Sequence, residues 1–238
     1  MAHALEQTRP FPPASGYDKL PFLEALPPRV RAATLDRAVT RRLKRGQAAF
    51  WQGEKIRLLP VVLEGHAKLI RNTAGGREVV IDFAGPGTPI CWPEILGDAP
   101  LTLSFVAVED CIISFLPIAP VRHCVSSDVR SSLAYAELVT TAHREMLQQL
   151  SATRAASVPA RLGGLLMFLL ERRGDMTTGW IPIRLSRQDL ADAAGTTVET
   201  VIRLMRKWEK AGVLETHRAG VRILDQMVLT GAADGESH

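Results

Sequence analysis

A chain of 238 residues is long enough for two modest domains. Its 46% hydrophobic and 23% charged residues are typical of an ordinary soluble protein, and no apolar run reaches the ~18 residues of a membrane span, so we expect no membrane partner. The formal net charge is +4. The three cysteines, Cys91, Cys111 and Cys124, show no Cys-x-x-Cys spacing, and the N-terminus lacks a signal-peptide pattern. The sequence therefore predicts a cytoplasmic protein with Cys111 and Cys124 as small buried side chains.

The N-terminal segment is rich in residues that interrupt regular structure. Pro10, Pro12 and Pro13 are followed by Ser-Gly, and we expect residues 1–15 to form a flexible arm. A short helix is predicted over Pro21–Asp36.

Residues 16–127 are predicted to form a β-roll sensor domain. From Arg41 to Pro117, short runs of β-forming residues alternate with turns that contain glycine or proline. Many short strands at near-regular spacing favour an antiparallel barrel, sandwich or roll. The predicted strands are Ala48–Trp51, Leu59–Leu63, Ala67–Ile70, Glu78–Phe83, Ser104–Val108 and Cys111–Leu116.

A long helix is predicted over residues 128–156, and its apolar positions form a narrow seam. The seam positions recur with alternating steps of three and four residues, which favours a two-helix coiled coil and hence a homodimer. Packing of the helix on its own domain is the alternative. The seam consists of Leu133, Ala136, Thr140, His143, Leu147 and Leu150.

Residues 157–229 are predicted to form a winged helix-turn-helix domain, with residues 159–173 as a supporting helix. If Arg187 opens the next helix, the small and apolar side chains up to Ala194 share one face. Gly195 ends that helix in the left-handed conformation. Thr196 or Thr197 then caps a second helix, with Glu199 three residues after Thr196 as in a capping box.

The second helix of the motif has an apolar inner stripe and a charged outer face. The inner stripe is predicted to be Val201, Leu204 and Trp208. Two β-type runs follow, Val213–His217 and Val221–Leu224, on either side of an Arg-Ala-Gly turn, as in a wing. A disordered tail is predicted for residues 230–238.

The positive charge is confined to this region. Residues 154–224 contain 12 Lys and Arg against 7 Asp and Glu, a net charge of +5, whereas the rest of the chain has a net charge of −1. A basic patch restricted to one domain is typical of a protein that binds a polyanion, and we expect double-stranded DNA as the partner.

The residues predicted to enter the major groove are Thr197, Glu199, Thr200, Ile202 and Arg203. Those predicted to bind phosphate or position the helix are Arg187, Arg206, Lys207, Lys210 and Arg218.

The order of these parts and several motifs resemble the CRP/FNR superfamily of bacterial transcription regulators, from about Leu20 to Leu229. The β-roll motifs that carry the resemblance are Arg45–Glu54, Val62–Leu69, Gly76–Glu78 and Phe83–Gly87, and the recognition helix adds its Glu-x-x-x-Arg. The resemblance implies an α+β fold with an antiparallel β-roll of cyclic-nucleotide-binding type, a dimerisation helix and a winged helix-turn-helix. It also implies a homodimeric activator that binds a palindromic promoter site, works with RNA polymerase and responds to an effector at the β-roll.

The recognition helix is more similar to the FNR side of the family. The family's base-reading Glu and Arg match Glu199 and Arg203. Val198 stands where cyclic-AMP receptors carry an Arg, and Ile202 stands where FNR has Ser. The resemblance therefore implies TTG-type half-sites.

The effector stretch departs from the cyclic-AMP-binding pattern. The stretch that aligns with the pattern is Ile90–Leu96 and then Pro100–Leu103, in which Glu94 is retained but Leu101 stands about where the family's phosphate-binding Arg should be. The candidate effector-pocket residues are Cys91, Trp92, Glu94 and Thr102. A buried phosphate without its bidentate cation loses its charge-assisted hydrogen bonds. We therefore expect that the protein does not bind cyclic AMP.

A four-cysteine iron–sulfur cluster is excluded within one chain, because only three cysteines exist and none lies in the N-terminal arm. The sequence does not identify the effector, and the alternatives are haem or another gas-sensing ligand, a thiol switch, or no ligand at all. The candidate axial ligands for haem are His3, His66, His123 and His143, although His66 and His123 are interpreted as surface or loop residues. His143 on the seam is a candidate pH-sensitive or ligand-sensitive element.

Two hypotheses from other classes compete. A cupin-type metal oxygenase would need two histidines and a carboxylate at the metal, but the predicted roll offers His66 without a His-x-His pair, and we expect no enzyme activity. A ligand-binding adaptor whose helix-turn-helix binds only protein is disfavoured by the local positive charge. A steep salt dependence of DNA binding would separate an adaptor from a DNA reader.

Overall fold

The computed structural model describes residues 17, 21–24, 26–73, 75–76, 78–90, 92–154 and 157–233, and they form two compact units. The first unit comprises residues up to 72 together with 82–143, and the second comprises the residues from Arg144 onwards together with 73–81, which includes the start of the strand Glu78–Ala84. Among the helices that the structure describes, none is both long and apolar enough to cross a membrane.

The first unit contains two antiparallel sheets around a shared apolar core. One sheet has the order β1-β7-β3, from Val39–Leu43, Cys111–Pro117 and Leu58–Glu64. The other has the order β2-β6-β4-β5, from Ala48–Phe50, Ser104–Ala107, Ala67–Asn72 and Glu78–Ala84. The core between them is formed by fully buried side chains such as Val61, Phe105 and Ile113.

Short helices flank these sheets. They are α1 (Pro21–Glu24), α2 (Pro28–Leu35), α3 (Trp92–Leu96) and α4 (Ala119–Ser127). The sequence prediction of one helix over 21–36 is wrong, because Pro27 and Pro28 interrupt it and Pro28 begins a second helix. Helices α3 and α4 were not predicted.

The long helix α5 runs from Val129 to Arg154. Asp128 precedes it, and its carboxylate accepts hydrogen bonds from the backbone N–H of Ser131 at 2.7 Å and from the Ser131 hydroxyl at 2.6 Å. These bonds lower the pKa of Asp128, because they favour its charged form. A charged cap therefore defines the start of α5.

The second unit combines helices with a small sheet. Helix α6 (Val158–Arg173) is followed by β8 (Trp180–Ile181), α7 (Arg187–Ala194), α8 (Val198–Lys210), β9 (Leu214–His217), β10 (Gly220–Ile223) and α9 (Gln226–Ala233). The sheet has the order β8-β10-β9, and β9 and β10 form an antiparallel hairpin. The predicted disordered tail is wrong for residues 230–233, which continue α9 because Leu229 is fully buried and anchors that helix.

These elements confirm the predicted fold class: an antiparallel β domain, a long helix and a C-terminal winged helix-turn-helix. All six strands predicted in the roll agree with the structure to within two residues at each end; β2, for example, ends one residue early, at Phe50. Strands β1 and β8 were not predicted.

Candidate nucleic-acid interface

Helix α7 begins and ends with defined caps. Ser186 is its N-cap, and Ser186 and Asp189 form a reciprocal capping box in which the backbone N–H of Asp189 donates to the Ser186 hydroxyl at 3.0 Å. Gly195 ends the helix in the left-handed conformation, with φ 61° and ψ 48°, as predicted. Leu190, Ala191 and Ala194 are buried, which confirms the predicted inner face of α7.

Thr197 is the N-cap of α8, and its hydroxyl accepts a hydrogen bond from the backbone N–H of Thr200 at 3.3 Å. The predicted capping box from Thr196 to Glu199 is therefore wrong by one residue, because the N-cap is Thr197 and not Thr196. The Ser-x-x-Asp signal of the true capping box, from Ser186 to Asp189, was present in the sequence and was missed.

The inner stripe of α8 consists of Val201, Met205 and Trp208, which are all buried. The prediction placed Leu204 in this stripe, but Leu204 is only partly buried. Steps of four and then three residues keep Met205 aligned with the other two side chains, so Met205 takes the central position.

The opposite face of α8 is polar and cationic. Six of its side chains line one shallow concavity of about 590 Å³ on the surface of the second unit. Among the described residues, Arg203, Arg206 and Lys207 form no ion pair, so their charge faces solvent. The lining residues are Glu199, Ile202, Arg203, Arg206, Lys207 and Lys210.

The carboxylate of Glu199 is held in its charged form at the start of α8. Hydrogen bonds from its own backbone N–H and from the Thr197 hydroxyl lower the pKa of Glu199. A charged carboxylate is a hydrogen-bond acceptor only, which suits the exocyclic amine of cytosine.

Arg187 connects α7 to the wing. Its guanidinium donates to the Thr216 hydroxyl at 3.0 Å and lies 3.8 Å from the Glu209 carboxylate. Burial lowers the pKa of Arg187, while Glu209 opposes that effect. These contacts link the start of α7 to β9 and to α8, and the role predicted for Arg187, phosphate binding or helix positioning, stays a prediction.

The wing places Arg218 at its turn, where it is exposed. Arg218 lines a second concavity, of about 450 Å³, together with Trp180, His217 and Arg222. The Arg222 guanidinium lies over the Trp180 ring, with 5.8 Å between Cζ and the ring centroid.

The described part of the predicted effector stretch offers no cation for a phosphate. The Thr102 hydroxyl donates to the Glu94 carboxylate at 2.5 Å, and Leu101 is buried in the core. No Lys or Arg occurs between residues 90 and 103. Cys91 and the side chain of Trp92 lie outside the described residues. Within the stretch from 90 to 103, therefore, no residue takes the place of the phosphate-binding Arg that the resemblance implies for a cyclic nucleotide.

The thiol and histidine candidates lie in several places. Cys111 and Cys124 are buried, as predicted, and burial raises the pKa of Cys111 to about 12.

The histidine candidates lie in different places. His66 was predicted to be a surface or loop residue, and it lies in the β3–β4 turn. Its side chain is nevertheless buried, and its Nδ1 pairs with the Glu109 carboxylate at 2.6 Å. His123 and His143 are exposed, and His3 lies outside the described residues. Within the described ranges, no group of three His, Cys, Asp or Glu side chains could hold a metal ion.

The predicted seam of α5 faces solvent in the single chain. Leu133 and Leu147 are exposed apolar side chains, and Ala136, Thr140 and His143 are exposed beside them. The side chain of Leu150 lies outside the described residues. An apolar strip of this kind on a 26-residue helix is unfavourable in water unless a partner covers it.

An antiparallel β domain followed by a long helix and a capped helix-turn-helix with a cationic outer face defines a class of protein: DNA-binding transcription regulators with a sensor domain. Two family profiles match the chain, a cyclic nucleotide-binding domain over residues 40–128 and a Crp-like helix-turn-helix domain over residues 160–231.

Curated relatives agree with this class. The chain is 30% identical over 173 residues to the nitrogen fixation regulation protein FixK of Bradyrhizobium diazoefficiens, covering 69% of each chain. It is 26% identical over 227 residues to the cyclic AMP receptor protein of Thermus thermophilus, covering 90% of this chain and 97% of that protein. The solved structure of FixK2 from Bradyrhizobium japonicum superposes with a TM-score of 0.72 at 17% identity, over 82% of this chain and 96% of that one. The chain belongs to the CRP/FNR superfamily and is a DNA-binding transcription regulator.

Proposed function

We propose that two copies of this chain pair through α5 and place two α8 helices in successive major grooves of a palindromic promoter site. The observation that carries the proposal is the concavity on α8, where one acidic, one apolar and four basic side chains face solvent together. A dimer reads inverted half-sites one helical turn apart, roughly 34 Å. Bound in this way, the dimer would contact RNA polymerase as an activator.

Within each half-site, base reading rests on the first turns of α8. Glu199 accepts from cytosine, Arg203 donates to guanine O6 and N7, and Ile202 contacts a thymine methyl group. Thr197 and Thr200 lie at the helix start beside them. The remaining cations, from Arg206 to Lys210 and at Arg218 of the wing, bind phosphates.

Binding of the purified protein to a randomised DNA pool tests this assignment. We expect an enriched inverted repeat. Arg203→Ala should weaken binding to that site by about 1–3 kcal/mol and relax preference at one base pair per half-site. Arg45→Ala, which removes an exposed arginine of the first unit, is the matched control and should bind like the wild type. An unchanged base preference for Arg203→Ala would remove Arg203 from this role.

The signal read by the β domain is proposed to be something other than cyclic AMP. The absence of a cation between residues 90 and 103 and the burial of Leu101 support this part of the proposal. Calorimetric titration with cyclic AMP should give no heat of binding, and added cyclic AMP should leave the affinity for the enriched site unchanged. Micromolar binding of cyclic AMP would contradict it.

A further inference from the structure

The turn of the helix-turn-helix is held from outside by an arginine of α6. Arg161 lies in the first turn of that helix, about 33 residues before the motif it contacts. Its Nε donates to the carbonyl of Ala194 at 2.8 Å, and its Nη2 donates to the carbonyl of Gly195 at 3.2 Å. Ala194 is the last residue of α7, and Gly195 is its C-cap.

The chemistry of this contact is directional. The last carbonyls of a helix have no partner within the helix and carry its partial negative charge, so a cation near them is stabilising. A guanidinium is planar and rigid, and two of its N–H groups bonded to successive carbonyls fix both the distance and the angle of the chain. Apolar packing of α6 by Leu162 and Leu166 is not directional and cannot do this alone.

The position of the contact gives it a consequence for DNA reading. Thr197 caps α8 two residues after Gly195, and Glu199 and Arg203 follow within the next two turns. The place where α8 begins is therefore set by the turn that Arg161 holds. Hydrogen bonds from side chains to base edges require accurate placement, so a loosened turn would weaken them more than it weakens phosphate contacts.

We propose that Arg161 is a positioning residue for sequence recognition: it sets how well α8 distinguishes its preferred site from other DNA without contacting DNA itself. This inference rests on the proposed reading of DNA by α8. A direct phosphate contact by Arg161 is the competing role. That role would weaken specific and non-specific binding together and would lower the salt slope of binding by about one.

The test compares three variants on the enriched site and on a scrambled duplex of equal length. Arg161→Met removes both donors and keeps the apolar stem. Arg161→Lys keeps the charge but replaces the two-nitrogen fork with one ammonium group. Arg172→Met removes one partly buried cation from the same helix and is the control for charge.

We expect Arg161→Met to lower the ratio of specific to non-specific affinity by about tenfold or more, with non-specific affinity and salt slope unchanged. The affinity ratio of Arg161→Lys should lie between those of Arg161→Met and the wild type, and Arg172→Met should keep the wild-type ratio. Backbone amide exchange should rise in residues 192–201 of Arg161→Met and stay unchanged in α6.

Three outcomes would overturn the proposal: an unchanged affinity ratio in Arg161→Met, an equal loss on both duplexes, or unchanged exchange at the turn. If Arg161→Met does not fold, Arg161→Lys decides the question by the same ratio and the same exchange measurement. If the wild type itself enriches no sequence, the proposed function fails rather than this inference.

Discussion

Asp189 and Glu199 lie in the first turns of consecutive helices, and their surroundings give the two carboxylates different tasks. Asp189 is buried, and its Oδ2 accepts hydrogen bonds from the backbone N–H and the hydroxyl of Ser186, so this carboxylate serves the cap of α7. Glu199 is exposed, and only its own backbone N–H and Thr197 lower its pKa. The buried carboxylate shapes the motif, whereas the exposed one is available to DNA.

The burial of Cys111 predicts a thiol that does not react in the folded protein. Because burial favours the neutral thiol and raises its pKa to about 12, Cys111 keeps its proton at pH 9.0, the ordinary pKa of a thiol. Iodoacetamide at that pH should leave Cys111 unmodified in the native protein and modify it once urea unfolds the chain. Peptide mass spectrometry measures both states. Rapid modification of native Cys111 would show that its thiol is accessible and reactive in the folded protein.

The same raised pKa couples folding to pH. The folded chain holds the Cys111 proton between pH 9.0 and about 12, while the unfolded chain releases it, so the free energy of unfolding should fall as pH rises through that window.

The burial of His66 is a property of a single residue that the sequence pattern did not predict. The residue follows Gly65 in a turn, and turns usually lie at the surface. Its partner Glu109 is 43 residues away, and only the pairing of β4 with β6 brings the two together. The caps of α7, by contrast, depend on neighbours within four residues, and the sequence predicted the left-handed Gly195 correctly.

At the scale of elements, the β3–β4 turn depends on a glycine for two separate reasons. Gly65 has φ +73°, and a Cβ there would overlap the backbone carbonyl of Asp110. Gly46 has φ +83° but has open space around the same position. Substitutions at the two glycines therefore differ in cost: both strain the left-handed backbone, but only the substitution at Gly65 adds a steric overlap.

Gly46→Ala should lower the free energy of unfolding by roughly 1–2 kcal/mol, since only the left-handed backbone is penalised. Gly65→Ala should cost clearly more, because the carbonyl of Asp110 must move as well. Urea denaturation of both variants, followed by circular dichroism, gives the difference. Equal losses would show that the turn can shift at no cost and that the overlap is unimportant.

Strand β1 was missed because its sequence, Val-Thr-Arg-Arg-Leu, has few β-forming apolar residues. Its pairing with β7 explains the strand. The register places Val39 opposite Phe115 and Leu43 opposite Cys111. The guanidinium of Arg41 lies over the Phe115 ring, 5.5 Å from its centroid, and Nη2 donates to the carbonyl of Ala48 at 3.1 Å. Long-range partners thus determine this strand, whereas the strands with alternating apolar residues were predictable from the sequence.

At the scale of the whole molecule, the order of the parts was predictable because each part has a local signature: glycine-separated strands, a heptad-like helix and a capped helix pair with a wing. The contact of Arg161 with the turn could not be predicted from the sequence, because the two lie 33 residues apart and no motif links them. The use of α5 as a dimer helix stays a prediction, supported by exposed apolar side chains along one face.

That face gives the last prediction, which concerns assembly. Leu133 is 61% exposed in the single chain, and its burial against a second α5 would contribute to dimer stability. Leu133→Arg places two like charges at the seam of the dimer, and we expect a monomer by analytical ultracentrifugation. Thr141→Arg is the control, since it adds the same charge at an exposed position about 80° further around the helix.

The monomer should also lose affinity for the palindromic site, since each α8 would then bind its half-site without the effective concentration that the partner supplies. Non-specific binding should change little, because the cations of each DNA-binding unit are intact. A Leu133→Arg protein that remains dimeric and keeps the wild-type affinity would show that this face of α5 is not the dimer interface.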